Sequence, residues 1–158
     1  MSPADALPSD VASYARSMTE THAPGLTTTP YVVRHTARPR RVLVVEDNLD
    51  TGRALTELVR DIGHDAQYAI NGYAALELAR ALRPHFVLLD IGLPGMTGFE
   101  VCRRLKQDPE LRLARVIAIT AYGGEQHRAG ARAAGCELHL VKPVSAQTLF
   151  DVLESSRA

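Results

Sequence analysis

Residues 40–158 are predicted to form a doubly wound α/β domain, a five-stranded parallel sheet with helices on both faces. Three observations predict it. Short uninterrupted apolar runs recur at Val42-Leu43-Val44-Val45, Phe86-Val87-Leu88-Leu89 and Val116-Ile117-Ala118-Ile119, as in strands buried on both faces. Segments with apolar residues at helical spacing lie between them. The two kinds of segment alternate strictly through about 115 residues, which implies parallel strands joined by helical crossovers.

The elements follow in order. Val42–Val45 is the first strand. Asp50 to Ile62 carries Leu55, Leu58, Val59 and Ile62 at helical spacing, and Gly63 suits the helix C-terminus. His64 to Ile70 reads as a weak strand. Asn71 and Gly72 open a helix from Tyr73 to Leu82 that stops before Pro84. Phe86–Leu89 is a buried strand ending at Asp90. A Gly- and Pro-rich loop, Ile91 to Gly98, leads to a helix from Phe99 to Lys106, closed before Pro109. Arg115 to Ile119 is a strand ending at Thr120. Gly123 and Gly124 precede a helix near Glu125–Ala134, ended by Gly135. Leu138 to Val141 is the last strand, ending at Lys142-Pro143, and Ser145 caps a final helix through Leu153. Right-handed crossovers with short loops fit the flavodoxin-like (βα)5 order 2-1-3-4-5, whose ligands bind beyond the carboxyl ends of the strands.

The first 39 residues differ in texture. They are rich in Ser, Thr, Pro and Ala, with Pro3, Pro8, Pro24, Pro30 and Pro39 spread through them. Such a stretch buries too little apolar surface to offset its ordering entropy, so residues 1–39 are expected to be a flexible N-terminal extension. Asp10 to Thr19 is a weak exception, because Val11, Tyr14, Ala15 and Met18 fall on one helical face.

Composition narrows the function. Lys plus Arg equals Asp plus Glu at 18 each, so the formal charge is zero. That argues against a nucleic-acid partner, which needs a local excess of basic residues. Arg34, Arg38, Arg40 and Arg41 form the one basic cluster and read as a solvated linker. Cys102 and Cys136 stand at no metal-ligand spacing; two isolated thiols fit a reducing cytoplasm. No run of 18 apolar residues exists, so no membrane span is expected. Met1 to Asp5 begins no secretory signal, which also places the chain in the cytoplasm.

Polar residues end four of the strands: Glu46-Asp47, Asp90, Thr120 and Lys142. In the expected order these strands are neighbours, so three carboxylates, a hydroxyl and an ammonium share one crevice. Carboxylates so close repel one another, and a divalent cation with oxygen ligands resolves the repulsion; a partly open site favours Mg²⁺. Phosphoryl transfer needs mainly positioning and charge neutralisation, and a carboxylate can serve as its nucleophile. Each residue alone has a structural reading as a cap or dipole partner. All four at strand ends point to a site. An X-Pro bond after Lys142 can be cis and aim the lysine inward.

Val44-Val45-Glu46-Asp47-Asn48, Leu88-Leu89-Asp90-Ile91-Gly92-Leu93-Pro94-Gly95-Met96-Thr97-Gly98, Ile119-Thr120-Ala121 and Val141-Lys142-Pro143 together resemble the response-regulator receiver domain of two-component phosphorelay signalling. The resemblance covers roughly residues 40–156. It implies Asp90 as phosphoacceptor, with Asp47, Asp90 and the Gly92 carbonyl on Mg²⁺ and Glu46 acting mostly through metal-bound water. It implies Thr120 as the switch hydroxyl and Lys142 as the cation pairing with the phosphoryl group. The phosphoryl donor would be a histidine kinase or histidine phosphotransfer protein. Ala121-Tyr122-Gly123 and His139-Leu140-Val141-Lys142-Pro143 look especially like receiver domains of hybrid histidine kinases. The family often carries Tyr or Phe three residues before the lysine; here it is His139, expected to report the state and to titrate near neutrality.

Only 15 residues follow Pro143, enough for one helix. The signal is therefore expected to leave by contact with a downstream protein, and Met1 favours a separate chain. The chain would assist its own phosphorylation and dephosphorylation rather than act as an enzyme on another substrate. Two other readings are weaker. A haloacid-dehalogenase-type phosphohydrolase usually has a second Asp two residues after the nucleophile, where this sequence has Gly92. A phosphorylation-independent binding module would not need the full polar set. P-loop and Rossmann readings fail for lack of their glycine motifs.

Overall fold

The computed structural model describes residues 34–155. The Asp10–Thr19 helix and residues 1–33 of the expected extension lie outside them. The order is β1 (Arg41–Val45), α1 (Leu49–Ile62), β2 (Asp65–Ala69), α2 (Gly72–Leu82), β3 (Phe86–Asp90), α3 (Gly98–Gln107), β4 (Arg115–Thr120), α4 (Glu125–Ala134), β5 (Leu138–Val141) and α5 (Ala146–Glu154). The sheet is parallel with strand order β2-β1-β3-β4-β5, as the alternation predicts.

Successive residues of β1, β3 and β4 point to opposite faces, and each face has its own core. Val42, Val44, Phe86, Leu88, Ile117 and Ile119 pack against α1 and α5 residues such as Leu55, Leu58, Leu149 and Leu153. Leu43, Val45, Val87, Leu89, Val116 and Ala118 pack against α2, α3 and α4 through Ala75, Val101, Leu105 and Ala131. Each fully buried large side chain contributes about 1.5–3 kcal/mol. That two-sided demand is why the strands read as continuous apolar runs.

Three helices start one residue before their apolar periodicity suggests, for a common reason. The side chains of Asn48, Asn71 and Thr97 accept from the backbone N–H of Thr51, Ala74 and Glu100, so each cap precedes Leu49, Gly72 and Gly98. Ser145 caps α5 in the same way. Gly63 and Gly135 end α1 and α4 at φ 108° and 103°, and Arg83 ends α2 at φ 49° before Pro84. The Lys142–Pro143 peptide is cis.

The end of the sheet where the strands begin is fastened by side chains. Arg115, first residue of β4, donates to both Glu137 carboxylate oxygens (2.7 and 3.0 Å), to the Ser155 hydroxyl (3.0 Å) and to the Ser155 carbonyl. Its guanidinium also lies 4.8 Å from the centre of the Phe86 ring. The Thr36 N–H donates to the Ile62 carbonyl at 2.7 Å, and Arg34 lies over the Phe150 ring. His64 and His85 each accept at Nδ1 from the backbone N–H of Arg40 and Arg41.

Burial holds His64 below its ordinary value, with Glu154 pulling the other way. The unfolded chain therefore takes up this proton first. Stability contributed by neutral His64 is fully present above about pH 6.5 and lost as pH falls from there. His64→Asn is expected to lose less stability than wild type between about pH 7.5 and 5.5 in urea titrations. An equal loss in both proteins would remove His64 as the cause.

Candidate functional site

Parallel strands bring their carboxyl ends to one edge, and the register aligns the polar residues there. Asp90 pairs with Ile119, and Thr120 with Val141, one residue before Lys142. Glu46 directly follows β1. The sequence-derived set Glu46, Asp47, Asp90, Thr120 and Lys142 thus shares one crevice. Carboxylate oxygens of Glu46, Asp47 and Asp90 lie within 4.8 Å of one another. Glu46, Asp90 and Thr120 are buried, whereas Asp47 is exposed.

Glu46 is held on every side. Its N–H donates to the Ala69 carbonyl (3.1 Å), and its carbonyl accepts from the Tyr68 hydroxyl (2.6 Å). Its carboxylate accepts from the Asn48 N–H (3.2 Å) and from Lys142 Nζ (2.7 Å). Tyr68 reaches Glu46 because α1 has a glycine beneath its ring: a Cβ on Gly52 would meet the ring at 2.1 Å. Burial raises the Tyr68 hydroxyl above its ordinary value, reinforced by Glu46 and Asp47, so it stays a donor. No sequence signal marks Tyr68, which sits in the weak strand.

Asp90 Oδ1 accepts from the Gly92 N–H at 2.9 Å, and Oδ2 lies 3.5 Å from Lys142 Nζ. The loop behind it is anchored by Ile91, Leu93 and Met96, all buried. Gly98 closes the loop: its N–H donates to the Ile91 carbonyl at 3.2 Å, and a Cβ there would stand 2.5 Å from the Asp90 carbonyl oxygen. The Thr120 hydroxyl accepts from the Tyr122 N–H at 3.1 Å, and its carbonyl accepts from the Lys142 N–H at 2.8 Å.

The charges are coupled. Burial pushes the Glu46 carboxyl up, the hydrogen bond from Lys142 opposes it, and the Asp90 charge adds to the rise. Burial alone would lower Lys142, but Glu46 and Asp90 outweigh it and hold the ammonium protonated. Three carboxylates facing one cation leave the crevice net negative. The all-oxygen donor set suits a hard divalent cation.

His139 is half-buried on β5, and neither ring nitrogen has a hydrogen-bond partner. Burial, with Arg128 and His127 nearby, lowers its pKa, so the imidazole is neutral at pH 7. Tyr122 stacks on His127 with centroids 5.9 Å apart and is exposed, as are Leu138 and Val141 of β5. Cys102 and Cys136, read as isolated thiols, are neighbours instead, with sulfurs 3.4 Å apart. Among the described residues no helix is long and apolar enough to cross a membrane.

Comparison with known proteins agrees with this geometry. The sequence profile described as response regulator receiver domain matches residues 42–154. The polar-differentiation response regulator DivK of Brucella anthropi is 38% identical over 117 residues, covering 74% of this chain and 95% of that protein. The chemotaxis protein CheY4 of Vibrio cholerae superposes with a TM-score of 0.70 at 25% identity, over 74% of this chain and 98% of that one. The receiver domain of the sensor histidine kinase PA1611 from Pseudomonas aeruginosa, solved with a magnesium ion coordinated in its active-site cleft, gives 0.68 at 26% identity, over 74% and 96%.

Proposed function

This chain belongs to the response regulator receiver domain family, and from that premise we propose that it accepts a phosphoryl group on Asp90 and signals by protein contact. The observation that carries the reading is the meeting of Glu46, Asp47 and Asp90 with Lys142, whose Nζ stands 2.7 Å from Glu46 and 3.5 Å from Asp90. A histidine kinase or histidine phosphotransfer protein is the proposed donor, and the reaction belongs in the cytoplasm.

Asp47, Asp90 and the Gly92 carbonyl would hold Mg²⁺, with Glu46 reaching it mostly through bound water. Mg²⁺ supplies neutralisation of the carboxylates and of the phosphoryl oxygens. The Gly92 N–H fixes one Asp90 oxygen and leaves Oδ2 as the nucleophile. An Oδ2–phosphorus bond forms as the bond from phosphorus to the donor nitrogen breaks, giving an acyl phosphate. Lys142 already faces Oδ2 and pairs with the transferred oxygens. The Thr120 hydroxyl exchanges its Tyr122 contact for a phosphoryl oxygen. Both moves draw on the loops after β4 and β5, so α4, β5 and α5 form the output face, with Tyr122, Leu138 and Val141 exposed along it. His139 lies on that path.

Acetyl phosphate with Mg²⁺ tests this. Intact mass is expected to show one added phosphoryl group on wild type and none on Asp90→Asn or in excess EDTA. In the same sample, backbone NMR shifts are expected to spread through residues 120–134 and 138–142. Equal labelling of Asp90→Asn would sink the assignment, and shifts confined to neighbours of Asp90 would sink the output face.

A further inference from the structure

The Cys102–Cys136 pair lies outside the phosphoryl crevice and has no part in the chemistry above. Cys102 is on α3 and fully buried; Cys136 precedes β5 and is 7% exposed. The residues are 34 positions apart, yet the Cys136 thiol donates to the Cys102 sulfur at 3.4 Å, and both are free. We propose that this pair is a dithiol modification site, which a peroxide converts to an intramolecular disulfide tying α3 to the turn before β5.

Packing positions the sulfurs. The turn lies tight on α3 because Gly135 has no side chain: a Cβ there would meet Lys106 Cγ at 2.9 Å. Further along the same helix pair, a Cβ on Gly130 of α4 would stand 3.0 Å from the Phe99 ring of α3. The sulfurs need to close from 3.4 Å to about 2.05 Å. A cavity of about 290 Å³ lined by Cys136 with Arg128, Arg132 and His139 reaches the pair from the Cys136 side. The hydrogen bond from Cys136 favours a thiolate at Cys102, and Lys106 and Arg103 add to it. Cys136 is correspondingly raised by the same bond and by burial, so it keeps the shared proton.

The chemistry balances. One thiol of the pair gives its proton to solvent and attacks one peroxide oxygen. A sulfur–oxygen bond forms, the oxygen–oxygen bond breaks, and hydroxide leaves and takes up a solvent proton. The other thiol then attacks the oxidised sulfur, 3.4 Å away in the reduced pair. The sulfur–sulfur bond forms, the sulfur–oxygen bond breaks, and a second water leaves with the second thiol's proton. Two thiols lose two electrons, and peroxide is reduced to two waters. In a reducing compartment such bonds are transient and characteristic of redox sensing.

The experiment treats the full wild-type chain with hydrogen peroxide, then alkylates it in denaturant. The expected product is a monomer lighter by two hydrogens, with both cysteines blocked and one peptide cross-link joining Cys102 to Cys136. Dithiothreitol should restore both thiols. Closing this loop is expected to raise Tm by at least about 5 °C. Cys102→Ala and Cys136→Ala should each abolish the cross-link, although the wild-type measurement needs neither variant. Two alkylatable thiols after treatment, a sulfinic acid on one cysteine with the other free, or cross-linking only between chains would each overturn the proposal. A lower Tm after oxidation would also overturn it, because the bond would then not fit the folded packing.

Discussion

Gly98→Val is expected to unfold a large fraction of the protein at 37 °C, and Gly98→Ala to lower Tm by roughly 10 °C. A Cβ at this position would lie 2.5 Å from the Asp90 carbonyl oxygen, 2.7 Å from Ile91 Cα and 3.1 Å from the Asp90 carbonyl carbon. All three are backbone atoms, so no rotamer change relieves the clash. Either α3 backs away from β3 or the strand end moves, and overpacking of this kind costs about 1–3 kcal/mol or more. The displaced segment carries Asp90, so whatever remains folded should also accept phosphate slowly. Gly92→Ala is the control. Its Cβ would stand 3.6 Å from Asp90 Oδ1, an ordinary contact at an exposed position, and should change stability by less than about 0.5 kcal/mol. Urea titration of both variants decides the matter. Equal stability of Gly98→Ala and wild type would mean that the helix start is softer than this packing implies.

Lys142→Met is expected to act in opposite directions on two measurements. Phosphorylation by acetyl phosphate should slow about 100-fold, because a positioned cation is lost from the developing charge on the transferred group. Mg²⁺ should bind several-fold more tightly, because the ammonium 2.7 Å from Glu46 and 3.5 Å from Asp90 competes with the cation for the same carboxylates. Isothermal titration in the absence of phosphate measures the second effect, and time-resolved intact mass the first. A variant that binds Mg²⁺ more weakly would show that Lys142 organises the carboxylates rather than neutralising them. Stability at neutral pH should fall, since Glu46 would remain buried beside Asp90 without its partner.

The strand-end residues were legible because burial on both faces leaves an unbroken apolar run, and the first polar residue after each run marks its exit. Glu46, Asp90 and Thr120 follow from that local pattern, whereas Lys142 ends the partly exposed β5, and topology places the four together. Helix starts were misplaced by one residue because the caps at Asn48, Asn71 and Thr97 are polar and leave no mark in an apolar periodicity. The supports of the site were not legible. Tyr68 reaches Glu46 across the sheet only because Gly52 lies beneath it, a contact between residues 16 positions apart with no shared motif. Cys102 and Cys136 meet only once α3 and α4 pack, so spacing along the chain could not reveal them.

The Arg115 clasp also decides where the described span ends. It holds Ser155 against the start of β4, and Thr36, near the other end of the described span, docks beside the start of β2. Both ends of the described span therefore lie at the pole where the strands begin, and the Asp90 crevice occupies the opposite pole. A dye attached at position 36 or 155 would stand at the far pole from the crevice, leaving its mouth open to a docking partner.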